Sequence, residues 1–96
     1  MPTSPEHLQA RRDEVAQYDN NIAVYETIIA DLPDAWPKRL EHFKGRKDHQ
    51  TAVLECDAAD VELLAQLLYR EQCENAIRTE RLERSKAAAI LKALGG

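Results

Sequence analysis

The chain has 96 residues, of which 44% are hydrophobic and 31% are charged, and its formal net charge is −4. This length allows one domain with a narrow core. The weak negative charge excludes a mimic of nucleic acid and a protein whose whole surface coats nucleic acid. No apolar stretch approaches the roughly 18 residues that a membrane-spanning helix needs, and the polar residues 1–10 lack the layout of a signal peptide.

A long first helix is predicted for residues 5–32. Ser4 is a suitable N-cap, and Pro5 suits the first helical position. A seven-residue repeat follows, which is typical of a helix packed along one face. We call its eight positions the seam: Leu8, Val15, Ile22 and Ile29, together with Arg11, Tyr18, Tyr25 and Leu32. The favoured interpretation is the inner face of a hairpin within one chain, and the alternative is a coiled coil between copies in a homodimer or larger homo-oligomer.

Two short connecting helices are predicted, at residues 36–44 and 49–55. In the first, Trp36, Leu40 and Phe43 share one face, which we expect to close the end of the hairpin. In the second, Asp48 is the expected N-cap. A strand at residues 51–56 is the disfavoured alternative, because nothing else in the chain could pair with it.

The first connecting helix and the loop after it form the one locally basic segment of the sequence, residues 38–49. Its candidate contacts for a polyanion are Lys38, Arg39, Lys44, Arg46 and Lys47. A functional interpretation is binding to phosphate backbones or to an acidic protein. The favoured interpretation is a solvated loop, because no recognised phosphate-binding or RNA-binding motif surrounds these cations.

The last forty residues predict one long helix, at about 58–94, with Asp57 as its N-cap and Gly95–Gly96 at its end. Its first half is apolar nearly all round, so we expect neighbours to enclose it. Its second half keeps a narrow apolar stripe and two predicted ion pairs four residues apart. These pairs are Glu74 with Arg78 and Glu80 with Arg84.

A candidate partner surface follows from the unequal lengths of the two long helices. In an antiparallel hairpin the last helix is longer by about 13 Å, so its C-terminal end is expected to project beyond the first helix. The exposed strip would then consist of Ala87, Ile90, Leu91 and Leu94. Such a strip is a candidate site for docking a larger protein. The alternative is that the N-terminal residues, or a second copy of the chain, cover it.

Residues that could carry chemistry are few and scattered. His42, His49, Cys56 and Cys73 lack the close spacing of metal ligands, so no metal or other cofactor is expected. No catalytic residues can be chosen from the sequence, and we expect no enzyme activity. The two cysteines are too far apart along the last helix to form a disulfide, and free thiols favour the cytoplasm.

The sequence therefore predicts an all-α protein, with residues 1–96 forming a single domain. Its architecture is an antiparallel helical hairpin of two long helices with one or two short connecting helices. The expected function is a non-enzymatic protein–protein interaction module, such as a small adaptor, regulator or inhibitor. The alternatives are a nucleic-acid-binding accessory protein that uses residues 38–49 and a homo-oligomeric coiled-coil protein.

Overall fold

The computed structural model of the protein describes residues 4–95, and within that range it contains helices and no strand. The predicted helix end at Gly96 and the first three residues of the predicted domain lie outside the described residues. The order of elements is α1 (Pro5–Ala30), a 3₁₀ helix (Lys38–Phe43), α2 (His49–Glu55), a second 3₁₀ helix (Ala58–Asp60) and α3 (Val61–Ala93). The all-α helical hairpin is confirmed.

Helix α1 begins as the sequence predicts and ends slightly earlier. The Ser4 hydroxyl accepts a hydrogen bond from the His7 amide at 3.2 Å, which satisfies one of the free amides of the first turn. The helix ends at Ala30 rather than at residue 32. Leu32 precedes Pro33, and a proline disfavours helical geometry in the residue before it.

The connecting segment contains the two predicted helices, with one change. The first is a 3₁₀ helix that begins at Lys38 rather than at residue 36, since Trp36 precedes Pro37 and is thereby kept out of the helix. The second is α2, and the Asp48 carboxylate caps it by accepting from the Thr51 amide at 3.1 Å. The helical prediction for residues 49–55 is thus confirmed over the strand.

The start of the last helix differs from its prediction. Asp57 forms no side-chain capping bond, residues 58–60 make a single 3₁₀ turn, and α3 begins at Val61. Asp60 precedes Val61 with a helical backbone (φ −102°, ψ −4°) and forms no side-chain capping bond. Both of its carboxylate oxygens accept bonds from the Arg39 guanidinium instead, at 2.9 to 3.2 Å. From Val61 the helix is unbroken for 33 residues.

The seam of α1 packs along α3 and forms the hairpin arm, by which we mean α1 together with α3 from Arg70 onward. All eight seam residues are half-buried, and α1 has no fully buried residue. On α3 the arm buries Cys73, Ile77 and Ala87. Because only two helices meet there, the molecule is a thin rod with extents of 62 × 21 × 18 Å.

Hydrogen bonds between the two helices fix their register. The Asn21 amide nitrogen donates to the Glu80 carboxylate at 3.3 Å, and the Arg70 guanidinium donates to the carbonyl oxygens of Ile29 and Leu32. From Asn21 back to its start α1 has 16 further residues, and from Glu80 on to its end α3 has 13, so α1 reaches the C-terminal end of α3. The part of α3 that α1 leaves uncovered is therefore its N-terminal end, residues 61–69.

Most charged side chains of α3 reach across to α1 or backward along α3, rather than forming the predicted pairs. Arg84 binds Asp19 of α1, and Arg81 binds Glu26 at 3.4 Å. The Arg70 guanidinium forms an ion pair with the Glu74 carboxylate at 2.9 Å. The predictions of Glu74 with Arg78 and of Glu80 with Arg84 were wrong, because partners on the neighbouring helix or one turn earlier compete for the same groups.

The uncovered end of α3 is covered instead by the connecting helices. Leu40 and Phe43, as predicted, turn inward there and are 2% and 3% exposed. Together with Ala52 of α2 they bury three leucines of α3, and we call this cluster the connector core: Leu40, Phe43, Ala52, Leu64, Leu67 and Leu68. Trp36 packs against its edge and is half-buried.

Candidate functional site

The C-terminal strip does not project beyond α1, contrary to the geometric expectation. Ala87 is 3% exposed, and Leu91 and Leu94 are half-buried. Ile90 points away from the seam and is 44% exposed. The register explains this outcome, since α1 extends as far as the end of α3 and covers the inner face of the strip. Partner binding at Ala87, Ile90, Leu91 and Leu94 stays a prediction, with Ile90 as its most accessible side chain.

Two of the five cationic side chains in the basic segment form ion pairs with neighbouring carboxylates. Arg39 pairs with Asp60, and Arg46 pairs with Glu55, each at 2.9 Å. Lys38, Lys44 and Lys47 are exposed and form no ion pair with any residue in the range 4–95. The positive charge available to a partner is therefore carried by these three lysines.

Hydrogen bonding at two aspartates of this region has an electrostatic consequence. The hydrogen bonds and charge of Arg39 hold the pKa of Asp60 below its ordinary value of 3.8. The bonds that Asp48 accepts from the Thr51 hydroxyl and amide lower the pKa of Asp48 in the same way. Both carboxylates are therefore ionised at neutral pH, and neither is suited to deliver a proton there.

An apolar groove with a volume of about 390 Å³ lies between α2 and α3. On the α2 side Leu54 stands 80% exposed, and on the α3 side Tyr69 is 45% exposed. The floor is formed by Leu68 of the connector core. We call this surface the apolar groove, and its residues are His49, Gln50, Val53, Leu54, Ala65, Leu68, Tyr69 and Gln72.

The groove exists because α2 is too short to cover α3. The sequence predicts that the apolar first half of α3 is enclosed on several sides. Seven residues of α2 make a helix of only about 10 Å. Leu64, Leu67 and Leu68 are buried beneath the connecting helices, whereas Ala65 and Tyr69 stay exposed. Neighbours therefore enclose this half of α3 on several sides, as predicted, but not on the side of Ala65 and Tyr69.

Tyr69 gives the groove a polar group at an apolar wall. The neighbouring Cys73 thiol group raises the pKa of Tyr69 above its ordinary value of 10.0, and nearby Tyr25 acts in the same direction. The phenol is thus neutral at physiological pH and can both donate and accept a hydrogen bond. A tyrosine with an apolar ring and a polar tip is a common contact residue in protein interfaces.

Sequence reasoning did not identify Leu54 as a candidate site residue. The inner face of α2 is formed by Ala52, which is buried, and by Val53 and the C-cap Cys56, which are partly buried. Leu54 is the large apolar residue that this inner face leaves out. The position of Leu54 outside this inner face was the sequence signal that could have identified it. A single exposed leucine is nevertheless common on protein surfaces and is not by itself a site.

Other kinds of site find no support in the part of the chain that the structure describes. Residues 4–95 contain no group of three or more His, Cys, Asp or Glu side chains placed to hold a metal ion. None of the described helices is long and apolar enough to cross a membrane. Comparison of the chain with protein-family models, with curated proteins and with solved structures finds no match.

Proposed function

We propose that the chain is a non-enzymatic protein–protein interaction module, which binds a larger protein through the apolar groove between α2 and α3. The observation that carries this proposal is the exposure of apolar surface in a concave setting, with Leu54 80% exposed at its wall. Water in contact with such a surface is released when a partner covers it, and this release favours association.

The shape of the molecule supports the same role. The hairpin arm makes a rod 62 Å long, and the groove lies at the end where α3 extends beyond α1. A groove held between a short helix and a continuous long helix has little freedom to collapse. A preformed surface of this kind loses less conformational entropy on binding than a flexible one.

A pair of matched substitutions tests the proposal. Leu54→Glu places a charge in the groove, and Leu82→Glu makes the same change at a leucine that is 56% exposed on α3 and does not line the groove. Both variants have the same net charge, and both sites are exposed enough to leave the fold intact. Affinity capture from the native cell should recover a partner with the intact chain and with Leu82→Glu, but not with Leu54→Glu.

A third variant separates the groove from the C-terminal strip. Ile90→Glu alters the exposed side chain of the strip without disturbing Leu91 or Leu94, which are half-buried. Equal recovery with Leu54→Glu and the intact chain contradicts binding at the groove. Loss of the partner only in Ile90→Glu moves the binding site to the strip.

Nucleic-acid binding through residues 38–49 is a second candidate, favoured by the three exposed lysines without ion pairs, Lys38, Lys44 and Lys47. Three phosphate contacts correspond to a slope of about −3 in a plot of log affinity against log salt concentration. Titration of a labelled duplex at several salt concentrations tests it. A slope near zero, or no binding at low salt, removes this candidate.

A homo-oligomer through the seam is the third candidate, and here α3 of the same chain already occupies the seam. Copies would have to exchange helices or use another face, so sedimentation at several protein concentrations should give a monomer. A dimer that survives dilution to nanomolar concentration contradicts this expectation.

We also propose a reducing compartment, such as the cytoplasm, for the protein. Cys56 is half-buried and Cys73 is buried, and both thiols are free. Free thiols persist where glutathione and thioredoxin keep them reduced.

A further inference from the structure

A second, polar groove adjoins the apolar groove. It has a volume of about 530 Å³ and lies between the loop before α2 and the next turn of α3. His49 and Gln72 line both grooves, so the two lie side by side along α3. We call the combined surface the trough. It follows α3 from Ala65 to Asn75, a distance of about 15 Å at the rise of a helix.

The two ends of the trough differ in charge. The apolar end is lined by no Asp, Glu, Lys or Arg, with His49 as its sole titratable side chain besides Tyr69. At the polar end, Lys47 forms no ion pair with any carboxylate of residues 4–95. Lys44 lines the surface next to the polar groove. The polar end also contains Arg46 and Glu71.

The bonds that Arg46 and Glu71 form affect the net charge at the polar end of the trough. Arg46 is paired with the Glu55 carboxylate at 2.9 Å. The Glu71 carboxylate accepts two bonds from the Gly45 amide, at 2.9 and 3.1 Å, and this contact holds the loop against α3. Around the polar end three cationic side chains form no ion pair within residues 4–95, namely Lys44, Lys47 and Arg78. They outnumber the carboxylates there that have no cationic partner in that range, Asp48 and Glu71. The polar end is therefore slightly positive on a chain whose net charge is −4.

We propose that the trough binds an acidic amphipathic helix of the partner protein, with its apolar side chains in the apolar groove and its carboxylates beside Lys44 and Lys47. This inference rests on the proposed function. A helix docked in a groove presents apolar residues three, four and seven positions apart, and about three turns of helix match the length of the trough. A carboxylate at its far end meets the uncompensated lysines.

The dimensions favour a single helix over a second copy of this chain. A stable dimer buries about 800 Å² on each partner. The apolar groove extends along α3 only from Ala65 to Gln72, about 10 Å, which is roughly the diameter of one helix. A groove of that length is far shorter than an interface of about 800 Å² requires, whereas it suits two turns of a docked helix.

A displayed library of helical peptides, with every charge pattern represented, tests the inference on the intact chain. We expect the enriched peptides to carry apolar residues at helical spacing followed by Glu or Asp at one end. Leu54→Glu should abolish their binding. Lys44→Glu with Lys47→Glu should weaken the binding of the acidic peptides about tenfold and favour basic peptides instead, because opposite charges then become like charges.

The matched control is Lys38→Glu with Lys92→Glu, which makes the same change in net charge at exposed lysines outside the trough. This control should change peptide affinity less than twofold. Circular dichroism of each variant verifies that the helices are retained.

The possible outcomes separate this inference from the function on which it rests. Enriched peptides that require Leu54 but show no excess of acidic residues, or that bind Lys44→Glu with Lys47→Glu equally well, overturn the acidic helix and leave the interaction module standing. No enrichment over scrambled peptides overturns the docked helix, whereas equal capture of a partner by Leu54→Glu and the intact chain overturns the interaction module at the groove itself. A dimer of the unliganded chain that Leu54→Glu dissociates identifies a second copy as the occupant. A duplex oligonucleotide that binds tightly and requires both lysines identifies nucleic acid instead.

Discussion

Arg70 is expected to be the most important single charged residue for the stability of the hairpin. Its guanidinium donates to the Ile29 carbonyl at 2.9 Å, to the Leu32 carbonyl at 3.2 Å and to Glu74 at 2.9 Å. The last turn of α1 contains no basic residue of its own. Arg70 therefore supplies a positive charge from α3 at the C-terminal end of α1. Its guanidinium adds a donor to the Ile29 carbonyl, which also accepts from the Leu32 amide, and it bonds to the Leu32 carbonyl.

The expected cost of Arg70→Met can be worked from these contacts. Methionine keeps an unbranched apolar stem, so the change removes mainly the guanidinium. Hydrogen bonds to charged groups contribute about 1.5–3 kcal/mol when shielded, and the 23% exposure of the Arg70 side chain favours the low end. The helix dipole adds about 0.3–1 kcal/mol. The free energy of unfolding should fall by about 2–3 kcal/mol, a large fraction of the stability of a small domain.

Urea unfolding followed by circular dichroism measures this cost, and Arg81→Met is the control. Arg81 contacts Glu26 at 3.4 Å, and its side chain is 63% exposed. A surface pair of that kind contributes at most about 1 kcal/mol. If the two substitutions lower the free energy of unfolding equally, or if Arg70→Met costs less than about 1 kcal/mol, the capping role assigned to Arg70 is refuted.

Three further predictions concern the connecting segment and the thiols. Phe43→Ala should lower the free energy of unfolding by about 3–5 kcal/mol in urea, because it empties a fully buried position of the connector core; a cost below about 1 kcal/mol contradicts that burial. The pKa of Asp60 lies below 3.8 in the folded protein. The stability that its pairing with Arg39 provides is therefore present above pH 3.8, and it is lost as the pH falls through the pKa of Asp60 in the folded state. The difference in unfolding free energy between the natural chain and Arg39→Gln should therefore shrink below about pH 4, and a constant difference down to pH 2 would argue against the ion pair. A thiol reagent should modify half-buried Cys56 in the folded protein and buried Cys73 only after unfolding; equal rates for both would show that Cys73 is accessible.

The features that the sequence predicted correctly are those decided by neighbours along the chain. Ser4 and Asp48 cap helices because a side-chain oxygen three residues before a free amide can reach it in almost any fold. The inward turn of Leu40 and Phe43 follows from their spacing. The seam of α1 follows from a seven-residue repeat, which describes one face of a helix whatever it packs against.

The features that the sequence did not predict depend on contacts between distant residues. Asp57 was expected to cap the last helix, but a 3₁₀ turn follows it, Asp60 pairs with Arg39 from the connecting segment, and α3 begins at Val61. Glu80 and Arg84 were expected to pair with each other, yet each binds α1. Such choices depend on which group lies closest in space, and residue spacing along a helix does not contain that information.

The sequence by itself determined that this chain is helical, where its helices lie to within a few residues, and which face of α1 is apolar. Only the tertiary structure decided the register, and with it the candidate site. The connecting helices turn around the N-terminal end of α3, so that end extends beyond α1 and the C-terminal strip does not. Because α2 is too short to cover the exposed end, Tyr69 and Leu54 are left facing solvent on either side of a groove, an outcome set by lengths and packing rather than by any local pattern.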